Sequence, residues 1–272
     1  MSSRCKTQEE NAAALEVENP ISAFELYKRA AKCFGNINDE KSSGKCLEKA
    51  VKIIQKIDTS TEDIFQTLEK YTSVSEIYHQ IGKPSESEKL MKIVHKKFID
   101  LVKSIRSEVK GLDDPYSSEK RLTLAAAYAK AAADHSLRNA CWVDLGDKFR
   151  EKATKISNPR QALDLYLQAV KKYNKGDNRK LVNEMYKEAA NNFTKRGNQI
   201  EKSKKDLIMA IENYRQARIL NSMADNKKAA AAMSKKLEDL CEIIGFPQNY
   251  VFDYLEKELG FSDVSVIIDE HS

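Results

Sequence analysis

Turn-forming residues are scarce in this chain of 272 residues, which has nine glycines and five prolines. So few breakers exclude a fold made of many tight turns and favour long helices on short loops. The five cysteines, Cys5, Cys33, Cys46, Cys141 and Cys241, show no CxxC spacing, and their number is odd. That excludes a zinc ribbon and a regular disulfide framework, and the expectation is reduced, mostly buried thiols in a cytoplasmic protein. The first ten residues lack the apolar stretch of a secretory signal. The longest alanine-rich run, Leu122 to Ala133, is interrupted by Lys130 and too short to cross a bilayer.

Motifs of catalysis are also missing. His79, His95, His135 and His271 form neither an HExxH nor a Cys/His pair at metal-ligand spacing. Gly44-Lys45 resembles the end of a phosphate loop, but Cys46 stands where Ser or Thr is required and Asp39 where the first glycine belongs. The carboxylates lie among lysines at helical spacing, as surface ion pairs do. The chain is therefore expected to be no enzyme, with no catalytic residue, cofactor or metal. The net charge is +5, but acidic and basic residues interleave, so nucleic acid is not an expected partner.

What the chain does contain is itself, twice. Asn19-Pro-Ile-Ser-Ala-Phe-Glu-Leu-Tyr-Lys-Arg-Ala-Ala-Lys-Cys-Phe34 matches Asn158-Pro-Arg-Gln-Ala-Leu-Asp-Leu-Tyr-Leu-Gln-Ala-Val-Lys-Lys-Tyr173 at an offset of 139 residues. Leu47, Ala50 and Ile54 then fall on Tyr186, Ala189 and Phe193. After a four-residue shift, Glu62 to Tyr71 matches Lys205 to Tyr214, and Leu90, Val94 and Leu101 fall on Met233, Leu237 and Ile244. Collinear order over this length is the signature of a repeat architecture.

The repeating unit reads as a helical hairpin. Ala23, Leu26, Tyr27, Ala30 and Phe34 share one helix face. Asn19-Pro20 and Asn158-Pro159 each supply an N-cap and a proline at the first helical position. Gly82 and Gly197 suit helix C-termini. The pattern predicts helices near 8–16, 20–35, 40–56, 62–81, 84–109, 117–136, 138–156, 159–174, 178–196, 200–221, 224–244 and 248–259. Gly111-Leu-Asp-Asp-Pro115 divides an N-terminal half, 1–110, from its duplicate, 116–245, and 246–272 reads as a capping helix with an acidic tail (Asp263, Asp269, Glu270). The expected fold is all-α, a right-handed α-solenoid of stacked antiparallel hairpins.

The spacing Ala-x3-Tyr-x2-Ala, at Ala23/Tyr27/Ala30 and Ala162/Tyr166/Ala169, resembles the second helix of a tetratricopeptide hairpin. Within that class, Ala23 to Phe34, Cys46-Leu-Glu-Lys-Ala50 and Tyr71-Thr-Ser-Val-Ser-Glu-Ile-Tyr-His-Gln-Ile-Gly-Lys83 resemble the soluble attachment proteins (SNAP adaptors) of SNARE disassembly. The resemblance implies a non-enzymatic adaptor in vesicle traffic, with acidic SNARE-type bundles and an AAA ATPase as partners and peripheral membrane association. Another tetratricopeptide scaffold or co-chaperone, and a helical enzyme or secreted effector lacking a local motif, are the alternatives. Three basic groups are the partner-binding candidates: Lys28, Arg29 and Lys32; Lys171 and Lys172; and Lys202, Lys204 and Lys205. Lining a groove, they would attract an acidic helix and speed its arrival.

Overall fold

The computed structural model describes residues 2–57, 64–261 and 264. Among them it contains helices and no strand: α1 (Ser2–Leu15), α2 (Pro20–Gly35), α3 (Glu40–Ile57), α4 (Ile64–Gln80), α5 (Pro84–Lys110), α6 (Pro115–Ala131), α7 (His135–Thr154), α8 (Pro159–Lys175), α9 (Arg179–Ser203), α10 (Leu207–Met223), α11 (Lys227–Ile244) and α12 (Gln248–Lys257). No described helix is long and apolar enough to cross a membrane. The acidic tail residues Asp263, Asp269 and Glu270, and His271, lie outside the described residues, as does the first part of the Glu62–Tyr71 block.

Helix starts follow the duplication. Pro20 and Glu40 precede Pro159 and Arg179 by 139 residues, and Pro84 precedes Lys227 by 143. Both Asn-Pro pairs cap as their sequence requires. The Asn19 side chain accepts from the Ser22 amide, and the Asn158 side chain accepts from the Arg160 and Gln161 amides. The missing proline N–H removes a donor that would otherwise lack a helical partner.

The same turn recurs between helices. A residue with positive φ is followed at once by Asp or Asn starting the next helix: Asn38/Asp39, Ala133/Asp134, Asp177/Asn178 and Asp225/Asn226. Asn and Asp tolerate the left-handed region better than other side chains with a Cβ, which is how the chain turns with so little glycine. One of these turns corrects the sequence expectation. Ala133 bends the chain, and Asp134 caps α7 through the Leu137 amide, so α6 ends at Ala131 instead of running on to 136. Helix α1 also starts earlier than expected, at Ser2.

Gly197 gives a second correction. It is no C-cap but lies inside α9, because a Cβ there would sit 2.8 Å from Cε1 of Tyr214. Gly146 in α7 faces Tyr173 in the same way, its Cβ position 2.5 Å from Cε1. Glycine lets two helices approach to the thickness of one ring.

The chain forms two compact units, Met1–Asp100 and Leu101–Ser272. In the first, α1, α2, α3 and α4 pack each on the next, and Phe24, Tyr27, Phe34, Leu47, Ile54, Tyr71, Leu90 and Val94 fill the core. In the second, α6 to α11 pack in chain order around Leu122, Phe149, Tyr166, Tyr173, Met185 and Phe193, with Tyr214, Leu237, Leu240 and Leu255 in a neighbouring cluster. Sequential packing of this kind is consistent with a helical repeat.

Buried tyrosines tie the hairpins with charge-assisted bonds. Tyr27 donates to Glu16 at 2.5 Å, Tyr173 to Asp147 at 2.6 Å, and Tyr214 to Glu201 at 2.5 Å. Burial first, and then the adjacent carboxylate, hold all three phenols far above their usual range, so they stay donors.

The cysteines depart from expectation. Cys5 and Cys33 are joined by a disulfide that pins α1 to α2, while Cys46, Cys141 and Cys241 are free and buried. Two of the five are therefore not reduced thiols. The cytoplasmic expectation loses that argument, since such bonds persist in oxidising surroundings.

Candidate functional site

The three basic groups are not alike once folded. Arg29 and Lys32 are exposed on α2, whereas Lys28 is half-buried, 2.8 Å from Glu25 and over the Phe24 ring. Lys171 is half-buried. Lys172 is a correction: it is 7% exposed and bonded to the Glu119 carboxylate at 2.5 Å, so its charge is spent inside the protein and not offered at the surface. Its stem lies along α8 with the buried face, which is why it points inward.

The third group divides between two concavities of the second unit. Lys202 and Lys204 line a hollow of about 440 Å³ floored by Leu207, Leu240 and the exposed Ile243. Lys204 itself has φ 52°, where α9 ends. Lys205 faces the other way, into a cleft of about 880 Å³.

That larger cleft is the strongest candidate site. It lies where α7 ends and α8 begins, and where α9 ends and α10 begins. Its rim carries Lys155, Lys195, Arg196 and Lys205, all exposed and none in an ion pair among the described residues. Two helix N-termini, of α8 and α10, add the positive ends of their dipoles. Of the lining carboxylates, Asp206 is committed to capping the Met209 amide, and Glu212 is bonded at 2.5 Å to Arg160. The C-terminal ends of α7 and α9 lie there too and offset those dipoles, so the balance rests on side chains: five lining cations, Arg160 included, against Asp206 and Glu212, a positive sum.

The floor of the cleft is a polar cluster that sequence reasoning missed. Glu212 is 2% exposed and takes hydrogen bonds from Arg160 and, at 2.7 Å, from Gln216. Burial raises its carboxyl above the usual range, opposed by Gln216, Arg160 and Arg215. Arg160 also lies 4.4 Å over the Phe261 ring. Glu212, Arg215 and Gln216 stand at helical spacing opposite Ala210, Tyr214 and Ala217, and in the sequence they look like an ordinary solvated face. The one available signal was the lack of lysine among them, on a helix otherwise bordered by lysines.

The buried carboxylate of Glu212 is matched by guanidinium groups. The arrangement suits binding of an anionic or acidic surface.

No protein-family model matches the chain, and no curated protein matches it. Among solved structures, the crystal structure of BtubC (BKLC) from P. vanneervenii is similar over 90% of this chain and 91% of that chain, at 12% identity and a TM-score of 0.29.

Proposed function

We propose that this chain is a non-enzymatic adaptor that binds acidic protein segments on helical-hairpin repeats, the hairpins of each unit stacking with the right-handed sense of an α-solenoid. One observation carries the reading: the second unit presents an open cleft of about 880 Å³ whose four rim cations have no ion-pair partner among the described residues. Four such charges draw an acidic helix by long-range attraction and orient it on arrival. The SNAP-like version adds acidic SNARE-type helical bundles and an AAA ATPase as partners, with peripheral association at a membrane. Its support is the resemblance of the Ala23–Phe34 and Tyr71–Lys83 stretches.

The test is capture of a purified acidic four-helix bundle. Binding should weaken as ionic strength rises, because exposed charges are screened within about 10 Å at 0.1 M salt. The triple reversal Lys195→Glu, Arg196→Glu, Lys205→Glu should abolish it. The reversal Lys28→Glu, Arg29→Glu, Lys32→Glu measures separately what the first unit contributes. Capture that survives the rim reversal would sink the cleft as the binding surface.

A further inference from the structure

Polar side chains are buried on a helix only where something satisfies them. Helix α10 carries five: Glu212, Asn213, Arg215, Gln216 and Asn221, each at most 6% exposed. Asn213 and Asn221 are satisfied locally, donating to the Met209 and Ala217 carbonyls. Glu212 is met by Arg160 of α8 and by Gln216, while Arg215 and Gln216 reach the chain's own C-terminal part.

Arg215 bonds the Glu256 carboxylate and lies 4.9 Å over the Phe252 ring. Gln216 turns its amide nitrogen to Glu212 and accepts the Val264 backbone N–H on its oxygen at 3.0 Å. Val264 is 2% exposed and belongs to the core of the second unit. Phe261 sits beneath Arg160, the cation that neutralises Glu212. Contacts of this chemistry are also those with which a receptor can hold a peptide. A side-chain amide holds a backbone N–H, which every peptide has. Guanidinium groups hold aromatic faces and a carboxylate, and the core of the second unit takes in a β-branched side chain, which few sequences offer together.

The occupant is lightly attached. On α12 only Val251 and Leu255 are buried, while Tyr250, Tyr254 and, just beyond, Leu259 remain exposed. Helix α12 packs on α10 and α11 far less extensively than those two helices pack on each other, which places it nearer the low-stability end of the fold.

We propose that this face of α10 is a peptide-binding groove that the chain fills with its own Phe252, Glu256, Phe261 and Val264. A partner peptide with the same aromatic, carboxylate and β-branched chemistry displaces them. The groove shares Arg160, Glu212 and Phe261 with the cleft, but its test uses a single peptide and leaves the rim cations untouched, so failure of one reading is distinguishable from failure of the other.

The probe is a fluorescent synthetic peptide of residues 248–264, titrated by anisotropy into the full chain and into its Phe261→Ala and Val264→Asp variants. A filled groove taxes the apparent affinity by the fraction of molecules that are open, so both variants should bind about tenfold more tightly than the parent. Adding Gln216→Met, which removes the acceptor for the backbone N–H, should reverse the gain. Equal affinity for parent and variants overturns the proposal, as does no binding to variants that keep the parent's helical signal and Trp142 emission. On the parent chain itself, saturating peptide should raise amide hydrogen exchange across α12, a readout that no variant's folding can confuse. Unchanged exchange there also overturns it.

Discussion

Replacing Gly146 by alanine should destabilise the second unit, against the intrinsic preference of a helix. Inside a helix, alanine is favoured over glycine by about 1 kcal/mol. At Gly146, however, the new methyl would lie 2.5, 2.7 and 2.9 Å from three ring carbons of Tyr173. That ring is fully buried, and its hydroxyl is held by Asp147 at 2.6 Å, so it cannot swing aside as a flexible side chain would. Overpacking of a closed core costs about 1–3 kcal/mol. Disturbing a hydrogen bond to a carboxylate costs about 1.5–3 kcal/mol more where the bond is lost. Overpacking less the propensity gain leaves a net loss of about 0–2 kcal/mol, rising to about 1.5–5 kcal/mol where the bond is lost. Trp142, half-buried on the same helix and packed against the same core, reports the transition. Urea unfolding followed by its fluorescence should show a midpoint lower by roughly 1 M, for a typical slope of about 1–3 kcal/mol per molar. In a Tyr173→Leu background the ring is gone, and Gly146→Ala should become neutral or stabilising by up to about 1 kcal/mol. A stabilising Gly146→Ala in the parent, or the same cost in both backgrounds, refutes the argument.

Two further outcomes follow from local geometry. Ala133 holds φ 54° in the turn before α7, a region in which an alanine Cβ is crowded, so Ala133→Gly should raise stability by about 1 kcal/mol in the same urea assay. Glu201 is held below the usual carboxylate range by bonds from Lys236 and then Tyr214, so its contribution is present above its unfolded value and lost as pH falls through its folded one. The gap in stability between parent and Glu201→Gln should thus be widest at neutral pH and close towards pH 3, whereas Glu212, raised by burial, works with the opposite sign.

Local chemistry was the part of the fold that could be read directly. An Asn-Pro pair caps a helix whatever surrounds it, so Asn19 and Asn158 announced α2 and α8, and the spacing of the starts carried over into space. The Ala132-Ala133-Asp134 turn could not be read in this way, because alanine gives no sign of a left-handed backbone. Gly197 looked like a stop because the ring that needs it, Tyr214, is in the next helix. The cleft was half legible. Lys205 was found from its charge, but Arg160, Glu212 and Gln216 become a site only when α8, α10 and the C-terminal residues meet. Lys172 misled for the converse reason, since Glu119, which absorbs it, lies 53 positions away. The Cys5–Cys33 bond spans a separation of 28 residues that no spacing rule marks.

That bond also has to form in a chain that carries three other thiols. Thiolates are the species that attack disulfides, and in the finished protein burial pushes the Cys46 thiol up to about 12 and the Cys141 thiol to about 11, with Cys241 raised as well. At neutral pH the three free sulfurs are therefore poor nucleophiles in the folded protein, because little of the attacking thiolate is present. In the nascent chain they are ordinary thiols competing for the same partners. The packing of α3, α7 and α11 thus keeps the three free sulfurs protonated and out of exchange with the Cys5–Cys33 bond.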